Sequence, residues 1–189
     1  FIDIIDYNNK VNKKNINTKK INVTLLSNIV VDQLSHYLEY FLNNNNIFVK
    51  CKSGNYDNIL QDTLLFKDSE CLIVFWEIIN FKNNFEKNIN IMNDEDFFNF
   101  ETNIINQVNF FLNSLDNKQL IIFNKFTFNS SLLINNKMVK IKNLCKKLNN
   151  LLESFKHNNF YLVDLNSLFL DNGYFNLINS NNFLSFKTL

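Results

Sequence analysis

The chain has no arginine, no alanine and no proline, and only two glycines, two histidines and one tryptophan among its 189 residues. The missing types have GC-rich codons, while asparagine, lysine, isoleucine, phenylalanine, leucine and tyrosine, with AT-rich codons, dominate. That skew marks an AT-rich genome, so the run Asn43-Asn44-Asn45-Asn46 reflects codon usage and not a prion-like tract. All 19 basic residues are lysines and face 18 acidic ones, a balance that argues against a nucleic-acid-binding surface. Cys51, Cys71 and Cys145 are far apart, match no metal-ligand spacing and are odd in number. They read as reduced, buried thiols of a cytoplasmic protein. No apolar run approaches the ~20 residues that span a bilayer, so no membrane partner is expected. Phe1 to Tyr7 is too short and too acidic for a signal peptide, and the absence of an initiator Met suggests a piece of a longer protein.

What is present is ample core material, 46% hydrophobic residues with 21 phenylalanines, in a length that suits one domain. Phe1 to Tyr7 reads as a short helix or an added edge segment, and Asn8 to Lys20 as a solvated, lysine-rich connector. Residues 1–20 therefore form an N-terminal extension to a domain at 21–189. Ile21 to Leu26 is β-rich and ends at Ser27-Asn28. Val30 to Leu42 then switches to helical spacing, with Val31, Leu34, Leu38, Phe41 and Leu42 on one stripe and Asn28 as its N-cap. Ile47 to Cys51 is a second strand with a turn at Lys52-Ser53-Gly54-Asn55, followed by an amphipathic helix over Tyr56 to Leu65.

Cys71 to Trp76 is the most continuous apolar run, as suits a central strand buried on both faces. Asn83 to Asn93 reads as a polar loop, and Asp94 to Leu115 as a long helix with acidic residues in its first turn. Gln119 to Phe123 is a fourth strand, Asn124 to Asn135 is irregular, and Phe160 to Asp164 is a fifth strand. The helix between them, Lys137 to His157, points Val139, Leu144, Leu148, Leu151 and Leu152 inward and leaves its basic face to solvent. Alternating strands and helices predict an α/β domain, a three-layer α/β/α sandwich on a five-stranded parallel sheet of order 2-1-3-4-5. Its ligand crevice belongs at the carboxyl ends of the strands, near the switch in strand order.

That topology delivers a defined set of polar residues to the crevice. Ser27 and Asn28 follow the first strand, Gly54 and Asn55 the second, Glu77 and Asn80 the third, Asn124 the fourth, and Asp164 ends the fifth. A carboxylate at Glu77 must face the crevice or carry a partner, because burying it alone is costly. Asp164 suits an ordinary cap for the turn at Ser167 equally well. Trp76 reads as core more than as a stacking platform, and His36 as a partly exposed helix residue.

The arrangement resembles the SGNH (GDSL-type) hydrolases, in which a serine, a glycine, an asparagine and an Asp-x-x-His pair follow successive strands. The resemblance implies Ser27 as nucleophile and Gly54 and Asn124 as oxyanion donors, yet no histidine follows Asp164. A serine without a base is inert at neutral pH. Segment order over most of residues 21 to 189 is more similar to the N-terminal domain of FkbH-like proteins. The similarity lies in Ile21 to Leu34, in Cys51 to Leu60, in Leu162-Val163-Asp164-Leu165, in the Asp171-Asn172-Gly173 turn and in Phe183 to Lys187.

In that family an SGNH-like domain precedes a haloacid-dehalogenase (HAD)-type domain bearing Asp-x-Asp-x-Thr, and characterised members transfer a glyceryl unit to an acyl carrier protein. This chain has no Asp-x-Asp-x-Thr, and Asn93-Asp94-Glu95-Asp96 reads as the first turn of a helix. The resemblance thus implies a non-catalytic accessory domain without a cofactor of its own. Mg2+ is expected only in a HAD-type domain following Leu189, and an acyl carrier protein is the expected partner. The alternatives are a divergent esterase or acyltransferase using Ser27, and a receiver- or flavodoxin-like binding domain. The last is disfavoured by the missing acidic pair after the first strand and by a first loop poor in phosphate-cradling residues.

Overall fold

A computed structural model describes residues 1–14, 19–128 and 135–172. Five strands form one sheet: β1 (Ile21–Ser27), β2 (Val49–Ser53), β3 (Cys71–Phe75), β4 (Leu120–Asn124) and β5 (Phe160–Val163). All neighbours pair in parallel, in the order β2-β1-β3-β4-β5. The helices are α1 (Ile2–Lys14), α2 (Asp32–Asn44), α3 (Ile59–Leu65), α4 (Phe85–Ile91), α5 (Asp94–Ser114), α6 (Asn135–Ser154) and α7 (Leu165–Asn172), with one 3-10 turn at Ile78–Asn80. The expected sandwich and strand order are both present.

The two sheet faces carry separate cores, as the strand order requires. Moving from β1 to β2 and then back across to β3, β4 and β5 reverses the direction of travel, and right-handed crossovers therefore place α2 opposite α3, α5 and α6. On one face Leu26, Leu72, Val74, Ile121 and Phe123 meet Phe97, Ile104, Val108, Phe111, Ile141, Leu144, Leu148 and Leu152. On the other, Val23, Leu25 and Cys71 meet Leu34, Leu38 and Leu42 of α2. Strand β3, apolar throughout, contributes to both.

Several boundaries and phases differ from the sequence reading. Asn8 to Lys14 is not a solvated connector: α1 continues through it and packs on α2, with Asn8 buried and its Nδ2 donating to His36 O at 3.0 Å. Consequently Ser35, Glu39 and Asn43 form a second, polar buried stripe on α2, while Phe41 of the expected stripe is exposed. These polar residues seal the outer edge of β2. Asn43 Oδ1 accepts the Val49 amide at 3.1 Å and Glu39 Oε2 accepts the Cys51 amide at 3.2 Å, while Glu39 Oε1 takes Asn12 Nδ2 at 2.7 Å. With the Val49 and Cys51 amides taken by side chains, this edge strand is blunted as a template for pairing with another chain.

Asn83 to Asn93 is not a loop either. Helix α4 forms within it, because Phe85, Ile89 and Met92 recur at helical spacing and are all buried. In α6 the inward stripe is Ile141, Leu144, Cys145, Leu148 and Leu152, and Val139 is exposed. Its basic face is partly paired: Lys140 reaches Asp94 and Lys147 reaches Glu101, each at 2.5 Å, and the buried Lys137 donates to Met92 O. The first turn of α5 behaves as expected, with Asn93 Oδ1 capping Asp96 N at 2.8 Å. Of the resembling segments, Asp171 and Asn172 close α7, and Gly173 and Phe183 to Lys187 lie outside the described residues.

Candidate functional site

Register aligns Ser27 with Phe75 and Asn124 with Val163, so the loops after β1, β3 and β4 open at one end of the sheet. Ser27 is the last residue of β1 and is buried. Its hydroxyl is committed in both directions: Oγ donates to Ile29 O at 2.7 Å and accepts the Ile29 amide at 2.8 Å. This local ring is a serine turn that shapes the exit from β1.

Asn28, fully buried, does not cap α2, whose N-cap is Val31 without a side-chain bond. Instead it fastens β1 to the loop after β3. Its Oδ1 accepts the Glu77 amide at 2.7 Å, its Nδ2 donates to Glu77 O at 2.9 Å, and its own carbonyl accepts Asn80 Nδ2 at 2.8 Å. Asn124 repeats the device from β4. Its Oδ1 accepts the Trp76 amide at 2.7 Å, and its Nδ2 donates to Glu77 Oε1 at 3.0 Å and to Lys125 O at 3.3 Å. Two carboxamides thus clamp the Trp76-Glu77 segment by its backbone from either side. Glu77 does carry a partner, as its position demanded, and burial pushes its carboxyl up to about 7.

The loop after β2 is organised by a residue outside the expected set, Asp62 of α3. Asp62 is buried, and its Oδ2 accepts the Asn55 amide at 2.5 Å while Oδ1 takes Asn55 Nδ2 and Asn58 Nδ2, each at 3.1 Å. Gly54 is required by that carboxylate, since a Cβ on it would stand 2.5 Å from Asp62 Oδ2 and 3.0 Å from Leu26 Cδ2. The Gly54 amide donates to Leu25 O at 2.8 Å. Beyond it, Asp57 takes a left-handed backbone, φ 55°, and its amide donates to Ser27 O at 3.0 Å. Burial also raises the Asp57 carboxyl above its ordinary value. No short sequence pattern announces Asp62; its distance from Gly54 is the eight residues of a turn and one helical repeat.

Asp164 has the capping role, its Oδ1 accepting the Ser167 amide at 3.1 Å at the start of α7. The histidines lie elsewhere. His157 sits before β5, at the amino ends of the strands, with Nε2 3.1 Å from Asp116 O and Nδ1 accepting Asn159 N at 3.2 Å. The His36 ring meets Phe1 edge-on at 5.6 Å between α1 and α2. Burial pushes the thiols of Cys51, Cys71 and Cys145 up to about 12, 11 and 12, far from nucleophilic thiolates. Among the described residues no group of three or more His, Cys, Asp or Glu side chains could hold a metal ion.

Among the described residues, two openings lie at this end of the sheet. A small one of about 120 Å³ lies over Ser27, Gly54 and Tyr56. A larger cleft of about 250 Å³ lies beside the switch in strand order, between the start of α3, the Trp76–Phe81 segment and Gln107 of α5. Trp76 is buried, as expected of core, stacked on Phe81 at 5.1 Å and edge-on to Phe111 at 5.9 Å. Chemically, this end of the molecule can hold a ligand by hydrogen bonds. The donors that an acyl intermediate would need, Gly54 N and Asn124 Nδ2, are already spent on Leu25, Glu77 and Lys125.

No family model matches the chain, and no curated protein does. Among solved structures it is similar to the crystal structure of the N-terminal part of the protein BF1531 from Bacteroides fragilis, which contains a phosphatase domain complexed with Mg. The TM-score is 0.72 at 12% identity, over 98% of this chain and 51% of that one. At that identity the likeness is one of fold, and this chain spans about half the length of its neighbour.

Proposed function

We propose that this chain is a non-catalytic SGNH-like accessory domain of an FkbH-like, HAD-family protein. In this reading it docks an acyl carrier protein, or shapes the site at which a glyceryl or acyl unit is transferred by a HAD-type domain in cis. Any Mg2+ belongs to that second domain. The observation that supports a holding role over a cleaving one is the closed ring between the Ser27 hydroxyl and Ile29, with both histidines engaged away from it. The fold likeness to part of a phosphatase-domain protein is in keeping with this role. Calorimetry and pull-down with a cognate phosphopantetheinylated carrier protein test it. Saturable binding supports docking, and no binding by either method removes it.

A further inference from the structure

The larger cleft has a lining unlike the rest of this end of the molecule. The polar groups around Asn28 and Asn124 are satisfied by one another, whereas those lining the cleft are left to solvent or, at Asn80 Oδ1, unmet. The side chains of the exposed Asp57 and Gln61 and of the half-buried Gln107 make no hydrogen bond among the described residues, which leaves them to water or to a ligand. Asn80 adds an unmet acceptor, since its Nδ2 is held by Asn28 O while its buried Oδ1 has no donor. Phe81 and the edge of Trp76 supply the apolar wall. A buried unmet acceptor and three polar side chains uncommitted within the protein, around a partly apolar cleft at the switch point of a parallel sheet, describe a small-molecule site.

The lining also selects the chemistry of the occupant. It contains no lysine or histidine, so it offers no counter-charge to a phosphate or carboxylate. Gln61 and Gln107 each present both N–H donors and a carbonyl acceptor, while Asp57 and Asn80 Oδ1 present acceptors. An ammonium ligand would use the acceptors and make no use of either glutamine NH2 group, which would stay with water. A hydroxyl donates and accepts at once and satisfies both kinds. We infer that the cleft between Asp57, Gln61, Trp76, Asn80, Phe81 and Gln107 binds a small neutral polyhydroxylated molecule, a sugar or cyclic polyol, independently of any carrier-protein docking.

Trp76 is the sole tryptophan, so its fluorescence reports on this wall of the cleft without labelling. The full chain is titrated with D-ribose, D-glucose and myo-inositol, and in parallel with ethanolamine and inorganic phosphate. The expected result is a saturable fluorescence change in the millimolar range for at least one of the three polyols. Gln107→Leu is expected to weaken it about tenfold, the scale of one or two lost hydrogen bonds, without lowering the melting temperature. Should that variant melt early, Gln61→Leu on α3 makes the same test from the opposite wall. The inference is overturned if none of the polyols gives saturation, if both leucine variants bind as the parent does, or if only ethanolamine or phosphate saturates.

Discussion

Asn124 Nδ2 stands 3.0 Å from Glu77 Oε1, and among the described residues this is the hydrogen bond that the Glu77 side chain has to offset its removal from water. It is not enough to hold the carboxyl at its ordinary value, and burial raises it from 4.5 to about 7. Because the folded chain then binds a proton more tightly than the unfolded chain, the contribution to stability is present below about pH 4.5. It is lost as pH rises towards about 7 and stays lost above. The loss is on the order of 3 kcal/mol. Glu77→Gln, which keeps an oxygen for Asn124, is expected to match the parent near pH 4.5 and to be more stable at pH 8. Urea denaturation across that range measures it, and parallel profiles for the two proteins would contradict it.

Asn28→Ala removes both side-chain bonds to the Glu77 backbone and leaves a buried N–H and C=O without partners. A destabilisation of roughly 2–4 kcal/mol is expected, with the loop after β3 the first region to open. Hydrogen exchange should show lost protection at Trp76 and Glu77 ahead of β1 and β4. A change below about 0.5 kcal/mol, the size of an ordinary surface substitution, would deny Asn28 its clamping role.

Gly54→Ala places a methyl against Asp62 Oδ2, a carboxylate fixed by the Asn55 amide and two asparagine side chains. The neighbour cannot retreat cheaply, so a cost of about 1–3 kcal/mol is expected. Much of this should vanish in an Asp62→Ala background, and a double-mutant cycle from chemical denaturation reads the coupling directly. Strict additivity would mean that something other than Asp62 keeps this position glycine.

The sheet was legible because apolar runs and turn residues mark strands regardless of codon bias. Ile21 to Leu26 and Cys71 to Trp76 mark β1 and β3, whose Val23 to Leu26 and Cys71, Leu72 and Val74 are buried. The helices were legible only where their buried faces are apolar. On α2 the polar face of Ser35, Glu39 and Asn43 is buried too, by α1 and the β2 edge, which no hydrophobic periodicity signals. Helix α4 was hidden because glutamate, lysine and asparagine occupy the positions between Phe85 and Ile89. At the strand ends the cap made by Asp164 and the need of Glu77 for a partner were legible, and the uses of the asparagines were not. Burial of Asn28 and Asn124 makes them braces of the backbone, and Asp62, remote from the loop in sequence, became visible only once α3 had folded back on Gly54.

Covalent trapping measures the chemical silence of Ser27 directly. The intact chain is incubated with a fluorophosphonate, which reacts with base-activated serines, and analysed by intact mass and peptide mapping. The expected spectrum shows unmodified protein, with p-nitrophenyl ester turnover identical in the parent and in Ser27→Ala. A stoichiometric phosphonyl adduct on Ser27, absent from Ser27→Ala, would contradict it.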